Sequence, residues 1–235
     1  LRKREKIDPL ELDIFIGASR KEEALEEYGI HVGAPFVFSG EFGLFNPDIN
    51  GDVIAGYSMD NLAALTCLLV LASKISRSSL TEFGRIQGPR DVYLVATTRE
   101  EIGTEGAHYF VKQHDVHEVI ALDIGLVADF KDSISSDITL HGGPVIVWQD
   151  GQGKGVYDYE FCKRLTDLAR KHKIPYQDGV FELYGSDAGK TQKWSGIPSA
   201  LVGIPTMFSH NVPEISTLSG IEAAAELIFQ YVKKK

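Results

Sequence analysis

From Val53 onward, continuous apolar blocks alternate with stretches whose apolar positions recur at helical spacing. The segment NLAALTCLLVLASKI after Asp60 reads as a long apolar helix, DVYLVATT (91–98) as a buried strand, and Glu105 to Gln113 as a helix. EVIALDIG (118–125) is a second buried strand, PVIVW (144–148) a third, and Tyr157 to Lys173 an amphipathic helix. PYQDGVFEL (175–183) is one strand or two, a short helical turn follows Gly185, PSALVGI (198–204) is a strand, and Ser219 to Lys233 is a C-terminal helix. Residues 76–90 and 126–143 read as loops. Strands that are apolar on both faces and alternate with helices predict a mostly parallel sheet covered on both sides, an α/β three-layer sandwich.

The front of the chain has a different texture. ELDIFIGA (11–18) alternates as a half-buried strand does, and Ser19 with Glu22 forms a capping-box pattern opening a short helix, KEEALEEYG, that Gly29 closes. Residues 36–45 are aromatic and Gly-rich and predict strand and turn, and FNPDINGD (45–52) leads into a new segment. The chain opens on Leu1 in a charged run, LRKREKIDPLELD, and further residues are expected upstream of it.

Composition narrows the partners. The chain has 235 residues, is 43% hydrophobic and carries a formal net charge of −9, which argues against nucleic acid or an anionic membrane as partner. Cys67 and Cys162 lie far apart, so neither a disulfide framework nor a thiolate zinc site is indicated, and a reducing cytoplasm fits best. The run Leu62 to Ile75, interrupted by Thr66, Ser73 and Lys74, is expected to be too short to span a bilayer, and no secretory signal is recognised.

In open α/β sheets the polar groups that do chemistry gather at the carboxyl ends of strands. Glu100-Glu101 follow VYLVATTR, Asp123 ends VIALD, Asp60 precedes the long helix, and His210 follows the strand SALVGI. Asp60 either caps the helix or holds a cation, and each of the others has a plain surface or capping role open to it. Together they suggest one convergent site. Carboxylates brought so close repel unless a cation lies between them, and a mixed Asp, Glu and His set suits Zn²⁺, Co²⁺ or Mn²⁺ better than Ca²⁺ or Mg²⁺.

The strings REEIG (99–103), ALDIG (121–125), SDAG (186–189) and IPTMFSHNVPE (204–214), with FIGASRKEEALEEYGIHVGAP (15–35), resemble the dodecameric TET-type metallo-aminopeptidases. The likeness runs in order from about residue 11 to the end. It implies two divalent metal ions, zinc or cobalt. Asp60 would bridge them, Glu101 and Asp123 would each ligate one, His210 would complete the second set, and Glu100 would be the general base. The resemblance further implies a cis peptide after Asp60 and a homo-oligomer, from dimer to dodecamer. Residues 1–40 would be the tail of an inserted PDZ-like dimerisation domain, with 41–235 the catalytic domain lacking its first strands.

Two departures stand out. Asp60-Asn61-Leu62 replaces the family's Asp-Asp-Arg. The family's first ligand, a His in an upstream His-x-Asp motif, has no counterpart, since His31, His108, His114, His117, His141 and His172 all lie downstream of its place.

The implied activity is removal of N-terminal residues from short peptides. The alternatives are another amide hydrolase on the same scaffold, such as a deacetylase, a metal-free glycosidase with two carboxylates, or a non-catalytic assembly subunit. GSDAGKT (185–191) is no P-loop, because three residues instead of four separate its glycines. His108, His114 and His117 read as surface histidines, and Lys190 as a solvent-facing lysine or a determinant for acidic substrate side chains.

Overall fold

The computed structural model describes residues 20–35, 40–44, 51–79, 91–127, 137–151, 155–182 and 184–233, so the strand expected at 11–18 lies outside the described residues. The chain divides into two units, Leu1–Ser39 and Gly40–Lys235. In the first unit, α1 covers Lys21–Glu26 and Gly29 follows at φ +67. Its N-cap is Arg20, which makes no side-chain cap bond; the expected cap, Ser19, lies outside the described residues.

In the second unit, β1 (Gly43–Leu44), β2 (Val53–Gly56) and β8 (Glu214–Thr217) form a small antiparallel sheet in the order β1-β2-β8. The larger sheet holds β3 (Val119–Leu126), β7 (Ser199–Thr206), β4 (Val145–Asp150) and β5 (Gly155–Val156) in that order, with β6 (Gln177–Phe181) paired to β4. β3 with β7 and β4 with β6 are parallel, whereas β4 runs antiparallel to both β7 and β5. The sheet is therefore mixed, its two longer ladders parallel and its two shorter ones antiparallel. Every residue of β7 is buried. Continuous burial reports that both faces are covered, and it says nothing of the direction in which the neighbouring strand runs.

The helices are α2 (Met59–Ser79), α3 (Glu105–Gln113), α4 (Tyr159–His172), α5 (Asp187–Ser195) and α6 (Leu218–Lys233). α2 and α4 both pack on α6, with α2 against β3, α4 against β4 and α6 against β7; α5 packs on β3, β5, β7 and α3. α4 buries Phe161, Cys162, Leu165, Leu168 and Ala169 along one stripe, and Asp158 caps it by accepting from Phe161 N–H at 2.7 Å. Where β3 and β7 face each other, a Cβ on Gly203 would stand 2.8 Å from Gly125 Cα, so the approach requires glycine there.

Two further expectations change. Residues 91–97 join no ladder among the described residues, and Val92, Tyr93 and Leu94 are exposed, so they are not a buried strand here. An apolar run marks a wish for burial; a strand also needs a partner for its backbone. α2, at 21 residues, outruns the apolar stretch and is the one described helix long and apolar enough, by length and composition, to cross a membrane. Its Ala63, Ala64, Cys67 and Leu71 pack into the core while Leu62, Leu65 and Leu69 stay exposed. Both cysteines are free and buried, and burial pushes each thiol up to about 12.

Candidate metal centre

β2 delivers the chain to Met59 at the start of α2, where Asp60 and Asn61 have non-helical dihedrals and share a cis peptide bond. Regular helix begins only after them, and Leu62 N–H donates to Ser58 O at 2.9 Å. The sequence places Asp60 at a helix start, but its carboxylate turns away from capping and towards His210. Oδ2 of Asp60 lies 3.1 Å from His210 Nε2, and Glu101 Oε2 lies 3.7 Å from the same nitrogen. One donor atom each from Asp60, Glu101 and His210 falls within 4.8 Å of the other two.

The loops that carry these residues are tightly wound. Ser58, Arg99, Phe208 and His210 all take positive φ, between 55 and 63. Non-glycine residues in that region are uncommon, and such strain collects where side chains must be aimed. Glu100 O accepts from the N–H groups of Gly103 and Thr104, which closes a turn that presents Glu100 and Glu101 just ahead of α3. His210 lies in the turn between β7 and β8, four residues before Glu214.

Asp123 is the fifth residue of β3, which runs on to Leu126, so it does not end the strand as the sequence suggested. Its carboxylate is buried, accepting at Oδ1 from Ile124 N–H at 2.8 Å and from Asn61 Nδ2 at 3.1 Å. Asp123 is not in the group of donors within 4.8 Å, but Asn61 ties it to that group, donating also to Leu122 O at 3.2 Å.

Electrostatics show how crowded the negative charge is. Burial, then Glu101, raise the Asp60 carboxyl to about 6, with His210 opposing. Burial, then Asp187, Glu101 and Asp60, raise Glu100 to about 7 against the pull of Lys190. Burial, then Asp60, push Asp123 well above the usual carboxylate range. Three carboxyls pushed up together, by burial first and by one another's charge second, describe a buried acidic cluster, the environment that a divalent cation relieves. Carboxylate oxygens with one imidazole nitrogen suit zinc, cobalt or manganese. The donor set fits metal.

Several neighbours escaped the sequence reading. Glu214, almost wholly buried, accepts the backbone N–H of Asp60 at 3.1 Å and that of His210 at 2.9 Å. Asp187 Oδ2 accepts from Thr97 Oγ1 at 2.6 Å and faces Glu100 together with Lys190. Ser186 hydrogen-bonds Tyr157 at 2.9 Å, and Tyr157 donates to the buried Asp150, which fixes the SDAG turn against β4. For Ser186, Asp187 and Glu214 the signal was their place inside the strings SDAG and IPTMFSHNVPE. His108, His114 and His117 form no metal-holding group among the described residues: His108 meets the Trp194 ring and His114 stacks on Phe110.

The fold recurs in known proteins. A TET aminopeptidase from a marine-sediment Thaumarchaeota archaeon superimposes with a TM-score of 0.82 at 26% identity, covering 93% of this chain and 59% of that one. The lysyl aminopeptidase of Pyrococcus furiosus is 25% identical over 224 residues, 94% of this chain and 59% of its own. The Pyrococcus horikoshii TET1 peptidase, described as assembling into a tetrahedron or a large octahedral shell, shares the fold at TM-score 0.75 and 23% identity, over 99% of this chain and 64% of that one. The chain thus spans about six-tenths of the length of these relatives. The sequence profile of one family matches nearly from end to end, residues 2–227, and the chain belongs to that family, the M42 glutamyl aminopeptidases.

Proposed function

We propose that this chain carries the greater part of the active site of a metal-dependent aminopeptidase that releases N-terminal residues from short peptides. The observation that supports this most is the meeting of Asp60, Glu101 and His210 donor atoms, drawn from three separate segments, within 4.8 Å. Asp60, Glu101, Asp123 and His210 would hold two divalent ions, zinc or cobalt. Such ions, when bound, supply Lewis acidity that polarises the peptide carbonyl and makes water easier to deprotonate.

The chain's own residues do the rest. Glu100 stands beside Glu101 and Asp60 but outside the donor group, so its carboxylate is left to move protons. It accepts one from the attacking water and returns it to the leaving amine as the C–N bond breaks. The positive charge of Lys190 opposes the charges of Glu101 and Asp60 and favours the ionised, proton-accepting form of Glu100. Asn61 holds Asp123 in place through its amide.

The larger frame of the proposal rests on the resemblance read from the sequence strings. Residues 1–40 are the tail of an inserted PDZ-like dimerisation domain, and 41–235 belong to a three-layer catalytic domain. The protein works in the cytoplasm as a homo-oligomer, of which the shells of the Pyrococcus horikoshii peptidase are the pattern. The decisive experiment is release of free amino acid from short peptides by the zinc- or cobalt-loaded protein, before and after chelation. Metal-dependent release supports the reading. Activity that survives thorough chelation overturns it in favour of metal-free chemistry.

A further inference from the structure

Asp60 and His210 come from separate segments, and one side chain bonds the backbone of both. Glu214 opens β8, where it lies opposite Gly56 in the register with β2. Its two carboxylate oxygens have different duties: Oε2 accepts the N–H of Asp60 at 3.1 Å, and Oε1 accepts the N–H of His210 at 2.9 Å. Those residues lie 154 and 4 positions away. Glu214 is 2% exposed, and a charged carboxylate so deeply buried is costly unless its oxygens are satisfied. Its partners are the backbones of the two residues whose side chains stand 3.1 Å apart in the donor cluster. His210 holds φ at +60, a conformation that an ordinary residue keeps only when something outside it enforces it.

We propose that Glu214 is a positioning residue for the metal centre, a two-oxygen clamp that fixes the Asp60 and His210 backbones so that their side chains meet on one ion. The inference rests on the metal reading above. Its content is that the clamp sets metal affinity and ligand geometry, and does more than hold β8 to β2. Both oxygens are needed: an amide in place of the carboxylate keeps one acceptor and turns an N–H₂ donor towards the other backbone N–H, so one of the two bonds is lost. Groups that orient metal ligands from behind typically govern affinity by about 10–100-fold.

The test is titration of the metal-free protein with Co²⁺, read by calorimetry and by the visible absorption of the bound ion, for wild type and Glu214→Gln, with melting temperature recorded without metal. Glu214→Gln is expected to bind Co²⁺ at least about tenfold more weakly and to show an altered absorption band, while Glu214→Asp, which keeps both acceptors one methylene short, recovers part of the affinity. Wild-type affinity and an unchanged band in Glu214→Gln overturn the proposal, even if the variant melts earlier, because the residue would then be holding strands only. Should Glu214→Gln not fold, Glu214→Asp alone decides on the same two readouts. If wild type itself takes up no Co²⁺, the metal reading fails, and that result is distinct from failure of the clamp.

Discussion

Oδ2 of Asp60 and Nε2 of His210 lie 3.1 Å apart, although 150 positions separate the residues. A carboxylate and an imidazole so placed share either a proton or a cation, and Glu101 Oε2, 3.7 Å from the same nitrogen, favours the cation. His210→Ala is therefore expected to lower the metal content of the protein purified in excess zinc. Elemental analysis measures it; unchanged stoichiometry would remove His210 from the ligand set.

Glu100 is the group assigned to proton transfer. Glu100→Gln keeps the size of the side chain and removes the base, so turnover of a short peptide should fall about 10²–10⁴-fold with bound metal retained. A variant with near wild-type kcat ends that assignment. One that loses its metal as well shows that Glu100 is a ligand instead.

The raised carboxyls make metal-free stability depend on pH with a definite sign. Asp60 moves from 3.8 to about 6, Glu100 from 4.5 to about 7, and Asp123 moves well above 3.8. Each binds its proton more tightly folded than unfolded, so its stabilising contribution is complete below the unfolded pKa and is lost as pH rises through the folded one. Between about pH 4 and 7 the metal-free protein should lose stability with rising pH, and zinc or cobalt should stabilise it most at the upper end. Thermal melts at a series of pH values test this; a metal-free melting temperature that climbs through the window contradicts the crowded-carboxylate picture.

Gly203 allows β3 and β7 to approach. A methyl group there would stand 2.8 Å from Gly125 Cα, which is backbone and cannot swing aside. Gly203→Ala should cost about 1–3 kcal/mol in urea unfolding, the range for overpacking a tight interior. Leu201→Ala, a fully buried truncation on the same strand, should cost about 2–5 kcal/mol. A neutral Gly203→Ala would mean the strands can part without penalty.

Much of this was legible in the residues. EVIALDIG and PSALVGI are β3 and the first part of β7, and YEFCKRLTDLARKH shows its buried stripe by spacing alone. Asp60, Glu101 and His210, scattered through the chain, do meet. The antiparallel setting of β4 against β7 was hidden, because an apolar run looks the same in either direction. Glu214 was hidden for another reason. Its partners are backbone N–H groups, which every residue but proline has, so no pattern of side chains could single out the one carboxylate that bridges them.

The exposed stretch 91–97 bears on how the proposed site is held together. Glu100 and Glu101 hang three and four residues beyond it, with Thr97 fastened to Asp187 as its tether to α5. Val92, Tyr93 and Leu94 are exposed, with the Tyr93 ring set edge-on to Phe110 and His114, and their backbone is unladdered among the described residues, so this stretch is held less firmly than the β3 segment that carries Asp123. Glu100 and Glu101 thus sit on ground less stiff than that of Asp123. Amide exchange should find the segment that bears Glu100 and Glu101 opening before the strand that holds Asp123.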